Sequence, residues 1–218
     1  MAITLLDEYS DEIRHCLRLT LSNKTSIHSI KLGSNAKSRK LLNFSGEPDP
    51  DLWVALCNAS LTEGDKCCFL LRLSFSEAEV GDSYWKCNDD AFMRNCYKFP
   101  FLWRLDCDEP MQLYQSSPTH EIERTLILEY VIFSSSGTWS LIKPIGQYAF
   151  LVGEDEFIAK VEKAVPNLNE DIRIFLRNIH LEFQYSPNSI NIDAVRDIIL
   201  PIYGAEEADN LLQESGLV

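Results

Sequence analysis

The chain contains no Gly-x-Gly-x-x-Gly and no Gly-x-x-x-x-Gly-Lys. Both motifs let backbone amides wrap a phosphate, so nucleotide binding through a glycine-rich loop is not expected. There is no Gly-x-Ser-x-Gly either, which argues against a serine nucleophile on a strand-to-helix elbow. The glycines stand singly, and the run Ser134-Ser135-Ser136-Gly137 reads as a hairpin turn in which small residues serve the backbone. No uninterrupted apolar run approaches the roughly 18 residues of a membrane-spanning helix. The opening MAITLLDEYSDEIRHC lacks a basic segment followed by an apolar one, so no signal peptide is expected.

Paired metal-ligand spacings are also missing. The cysteines are Cys16, Cys57, Cys67, Cys68, Cys87, Cys96 and Cys107. None forms the Cys-x2-Cys pair that places two thiolates on one zinc tetrahedron, and adjacent Cys67 and Cys68 on a strand would point to opposite faces. Buried, weakly polar thiols are the simpler reading. An odd cysteine count without an export signal predicts reduced thiols and a cytoplasmic protein. His15, His28, His120 and His180 could each partner a cysteine nucleophile, but no local signature links any of them to a thiol. The acidic runs Asp89-Asp90 and Asp106-Cys107-Asp108-Glu109 do not match a calcium loop, and no cofactor is implied.

Positive charge is scarce. Twenty Lys and Arg face 33 Asp and Glu, for a formal net charge of −13. Phosphate backbones and anionic lipid surfaces are bound through Lys and Arg, so neither nucleic acid nor membrane is the expected partner. A basic protein is compatible, because opposite charge speeds encounter. The exception is Lys24 to Lys40, which carries Lys24, Lys31, Lys37, Arg39 and Lys40 without an acid. Interleaved Gly33, Ser34, Asn35 and Ser38 suggest a solvated loop there.

Apolar residues are plentiful at 45%, with four Trp, enough for a substantial core. Residues 4–21 read as an amphipathic helix with acids in its first turn, although Leu17 to Leu21 also alternates like a strand. A short strand fits Ser26–Leu32. Asp49 and Pro50 form a cap and first-turn signal for a helix to about Leu61. Residues 66–75 alternate as a strand. Residues 123–133, 138–142 and 147–152 form a three-stranded meander, the first apolar on both faces and therefore central. Helices follow at about 153–165, at 170–183 capped by Asn169, from Asn191 to about Pro201–Gly204, and at 205–214.

This order predicts an α+β fold: a mainly antiparallel sheet, including the 123–152 meander, with an N-terminal helix and a C-terminal helical cap. Residues 1–218 read as one domain, with 153–218 as a helical subdomain. Residues 76–120 are irregular and aromatic, with Tyr97–Trp103 resembling an edge strand or extended loop. Aromatic residues mixed with Arg recur in interface hot spots. The expectation is therefore a non-enzymatic protein-binding module, an acidic inhibitor or immunity-type protein that neutralises a basic partner. Trp85, Tyr97 and Trp103 would anchor it, with Asp89, Asp90, Asp106, Asp108 and Glu109 steering encounter. The alternatives are a small hydrolase or transferase with a site in 84–120, and a structural subunit of a larger assembly. Oligomeric state is not legible.

Overall fold

A computed structural model describes residues 3–6, 10–26, 29–44, 48–72, 102–110, 129–144, 146–186 and 190–218. The strands are β1 (Ile3–Leu5), β2 (Leu21–Ser26), β3 (Ser29–Leu32), β4 (Ser38–Asn43), β5 (Cys67–Arg72), β6 (Leu102–Asp106), β7 (Tyr130–Ser134), β8 (Trp139–Lys143) and β9 (Tyr148–Gly153). The helices are α1 (Asp11–Thr20), α2 (Pro50–Thr62), α3 (Asp155–Ala164), α4 (Asp171–Tyr185), α5 (Ile192–Tyr203) and α6 (Ala205–Glu214), with a 3-10 turn at Pro166–Glu170.

Among the described residues seven strands form one antiparallel sheet in the order β1-β6-β5-β7-β8-β9-β4, while β2 and β3 form a separate hairpin. The expected α+β fold is the observed one, and the β7-β8-β9 meander is its centre. Every residue of β5, β7 and β8 is buried. An antiparallel sheet commonly leaves one face to water and then alternates; this one is covered on both faces, which explains its near-continuous apolar strands.

On one face Cys68, Leu70, Trp103, Leu105, Ile132, Trp139, Leu141 and Leu151 pack against α2 and α3. Trp139 is fully buried there; its ring stacks on Phe157 at 5.2 Å and its Nε1 donates to Ser60 Oγ at 2.7 Å. Truncating such a ring costs about 3–5 kcal/mol. On the other face Phe69, Val131, Phe133, Ile142 and Val152 pack under Leu17 of α1. Further along that face Leu41 and Tyr148 join the helices α4, α5 and α6. The C-terminal helices are thus divided: α3 lies on one face and α4–α6 on the other, with the 3-10 turn between them. The C-terminal helical cap covers both faces of the sheet, each of which is apolar and needs cover.

Three local expectations change. Residues 3–5 are a strand paired with β6, and the first helix begins only at Asp11, where Ser10 Oγ accepts from the Ile13 N–H at 3.3 Å. Asn169 does not cap α4: it lies within the 3-10 turn, and its side-chain Oδ1 accepts from Lys40 Nζ at 2.7 Å. The basic stretch is no solvated loop, since it contributes β2, β3 and β4. There Lys40 pairs with Glu162 at 2.5 Å, and the Arg39 guanidinium donates to the carbonyls of Ala36 and Pro201, tying β4 to the helices around it. Asn191, by contrast, caps α5 as its sequence signals, accepting from the N–H groups of Asp193 and Ala194.

Candidate functional site

Where β4 ends, the starts of α2 and α4 come together. Asp49 caps α2, its Oδ1 accepting from the N–H of Asp51 at 2.9 Å and of Leu52 at 3.4 Å. Pro50 occupies the first helical position, where its missing N–H costs nothing. The 3-10 turn then delivers Asp171, first residue of α4, to the same place. Between them lies an open cleft of about 700 Å³, bordered by Asn43, Asp49, Asp51, Leu52, Leu168 and Asp171.

The cleft is acidic without internal compensation. Among the described residues no Lys or Arg stands within ion-pair distance of Asp49, Asp51 or Asp171. Burial, with a further contribution from the Asp49 charge, pushes the Asp171 carboxyl up to about 6, although the Asn43 backbone N–H donates to it and favours the ionised form. Burial and then the nearby Asp171 charge also raise the Tyr203 phenol, against a stabilising backbone hydrogen bond from Leu41. Asp49 and Asp51 have a local reason to be acidic, since they start a helix. Asp171 does as well, yet it is the one held half-buried.

The residues expected to form the partner site fall differently. Trp85, Tyr97, Asp89 and Asp90 lie outside the described residues. Trp103 is 2% exposed and belongs to the core beneath α2, so it is not a surface anchor. Its strand, β6, runs between β1 and β5 and is not at the sheet edge. Asp106, Asp108 and Glu109 do gather on the turn that leaves β6, Asp108 and Glu109 exposed and Asp106 paired with Arg104 at 3.1 Å. This turn packs along α2, where Trp53 Nε1 donates to the Pro110 carbonyl at 2.8 Å.

Two groupings escape a reading by sequence distance. Cys57 of α2, Cys68 of β5 and Cys107 after β6 meet in the core as free thiols. Hydrogen bonds from Cys57, then Cys68 and Ser60, favour the Cys107 thiolate against its burial, while Cys57 and Cys68 are pushed up. Among the described residues no group of three His, Cys, Asp or Glu side chains is arranged to hold a metal. The second grouping is a buried row across three strands, in which Arg72 pairs with Tyr130 and Tyr130 with Lys143. Lys143 Nζ donates to the carbonyls of Pro144 at 2.8 Å and Gly146 at 2.7 Å; burial lowers its pKa and the Glu129 charge opposes that. A charge at a strand end reads as solvent-facing when one face is taken to be wet.

Among the described residues no helix is long and apolar enough to cross a membrane. No protein-family model, curated protein or solved structure matches the chain.

Proposed function

We propose that the protein is a non-enzymatic module that binds a basic protein partner, in its concrete form an acidic inhibitor or immunity-type protein acting in the cytoplasm. The observation that carries this reading is the cleft of Asp49, Asp51 and Asp171, an uncompensated acidic site open to solvent. A Lys or Arg side chain entering it would gain charge-assisted hydrogen bonds and relieve the repulsion between Asp49 and Asp171. Asp106, Asp108 and Glu109 add negative field along α2 and would speed encounter. The five described cysteines are free, which fits a reducing compartment.

The test is affinity capture from the source lysate at about 50 mM and about 500 mM salt, spanning the range over which screening shortens sharply. It compares the wild-type chain with an Asp49→Asn, Asp51→Asn, Asp171→Asn variant. One stoichiometric basic partner, weakened by salt and lost in the variant, supports the reading. A partner retained equally by the variant refutes the cleft as its site.

A second reading has its own observation. A carboxyl pushed up to about 6 beside a second carboxyl group in an open cleft is the arrangement general acid–base catalysis uses. On that reading the protein is a small hydrolase in which Asp171 carries the proton. Single Asp171→Asn and Asp49→Asn variants separate the two: a hydrolase loses turnover with either, whereas a binder loses affinity in graded steps. A structural-subunit role has less support, because among the described residues the large exposed apolar side chains are few: Leu61, Leu181, Tyr185 and Val218.

A further inference from the structure

A groove of about 350 Å³ runs between α4 and the C-terminal end of α6. Arg173, Arg177 and His180 line it from α4, spaced so that all three share one helical face. Leu176 and Leu211 form its apolar floor, and Glu214 stands on the α6 lip. Two guanidinium charges therefore exceed one carboxylate, in a chain whose net charge is −13.

Among the described residues the arginines have no structural task that accounts for them, and neither is ion-paired. They are not needed to satisfy the end of α6, whose last carbonyls are already engaged: Leu211 accepts from the Ser215 N–H, Leu212 from the Leu217 N–H and the Ser215 hydroxyl, and Gln213 from the Gly216 N–H. Arg173 also sits in the first turn of α4, the positive end of the helix, where a cation is disfavoured. His180 adds a second, independent sign. Its Nε2 lies 2.7 Å from the amide nitrogen of Gln184, which donates to it, so the neutral ring carries its proton on Nδ1. Nδ1 is buried and, among the described residues, has no hydrogen-bond partner. Gly216, at φ 71°, brings the turn after α6 so close that an added Cβ would lie 3.4 Å from this nitrogen. A buried donor without an acceptor is costly and calls for one.

We propose that this groove binds a small organic anion, a carboxylate or phosphate group attached to an apolar body. The anionic head meets Arg173 and Arg177 beside His180, and the body covers Leu176 and Leu211. Glu214 holds the far lip and disfavours a second negative charge there.

The experiment is a titration of the full ¹⁵N-labelled chain at low salt with hexanoate, phenyl phosphate, inorganic phosphate and hexanol, read by amide and His180 ring resonances. Hexanoate or phenyl phosphate should bind saturably, move the His180 Nδ1 signal and bind more tightly than inorganic phosphate. Removing both guanidiniums in an Arg173→Ala, Arg177→Ala variant should weaken them by about tenfold or more. Both arginines are exposed, so the variant should melt at the wild-type temperature, which certifies its fold. Tighter binding of phenyl phosphate assigns a phosphate head, and tighter hexanoate a carboxylate; either supports the proposal. Hexanol binding as well as hexanoate, unchanged affinity in the folded variant, or no saturable binding by any of the anions overturns it.

Discussion

Replacing Asp171 with Asn should make the protein more stable at neutral pH. The folded carboxyl titrates near 6, against an ordinary value of 3.8, because it is half-buried and shares its cleft with Asp49. Between those two pH values the native state holds a proton that the unfolded chain has released. The stability of the native state therefore falls as pH rises through this window. Undiscounted, the shift corresponds to about 3 kcal/mol; with solvent reaching the cleft, roughly 1 kcal/mol is the better expectation. Asn keeps an oxygen to accept from the Asn43 N–H and removes the charge. The variant should match the wild type near pH 4 and exceed it near pH 7 by roughly 1 kcal/mol, a rise of about 2–4 °C in melting temperature for a chain of this size. Denaturant melts of both proteins across pH 4 to 7 measure this directly. Asp49→Asn offers an internal check, since Asn caps a helix about as well as Asp; it should lower the Asp171 midpoint and flatten the wild-type profile. Parallel pH profiles for wild type and Asp171→Asn, or a carboxyl carbon titration of Asp171 at its ordinary value, would refute the reasoning. If a basic partner fills the cleft, its binding near pH 6 should release protons, and calorimetry in two buffers of different ionisation enthalpy would detect them.

Gly33 packs so closely on the end of α1 that an added Cβ would overlap the carbonyls of Arg18 and Leu19, so Gly33→Ala should cost about 1–3 kcal/mol or more, read by chemical denaturation. Asp65, almost fully buried, accepts from Ser135 Oγ and Ser136 Oγ at 2.8 Å each and steadies the β7–β8 hairpin. Asp65→Ala should leave both hydroxyls short of a partner and lower stability by roughly 1–3 kcal/mol. Among the described thiols, Cys16 alone has appreciable exposure and should be alkylated in the native protein, whereas Cys57, Cys68 and Cys107 should react only as the core opens. Mass spectrometry of peptides after timed alkylation decides this, and early labelling of Cys107 would contradict its burial.

Elements announced by local chemistry were readable from the chain. Asp49-Pro50 starts α2 and Asn191 starts α5, because a cap is a contact between neighbours in sequence. The β7-β8-β9 meander is equally local, two short turns joining three apolar runs, and the both-sided apolar pattern of β7 already implied two covered faces. The α+β class follows from those pieces. What failed locally failed for a physical reason. Residues 3–5 carry helix-compatible spacing, but β6 has an edge that backbone pairing satisfies, and three residues are enough. Asn169 looked like a cap until the 3-10 turn placed it beside Lys40. Trp103 shares its composition with interface anchors, and only the register of β6 against β5 turns it into the core.

The acidic cleft and the basic groove were legible only as composition. The chain states that acids outnumber bases and that α2 begins with Asp; it cannot state that Asp171, more than a hundred residues later, arrives beside Asp49. Nor can it show that, among the described residues, Arg173, Arg177 and His180 find no carboxylate to pair with. The distance between charges decides what they do, since both Coulomb attraction and desolvation depend on separation and burial. Sequence determined the locally signalled elements, their apolar faces and the net charge. Tertiary packing alone decided which charged groups were buried, which were paired and which were left facing an open cleft.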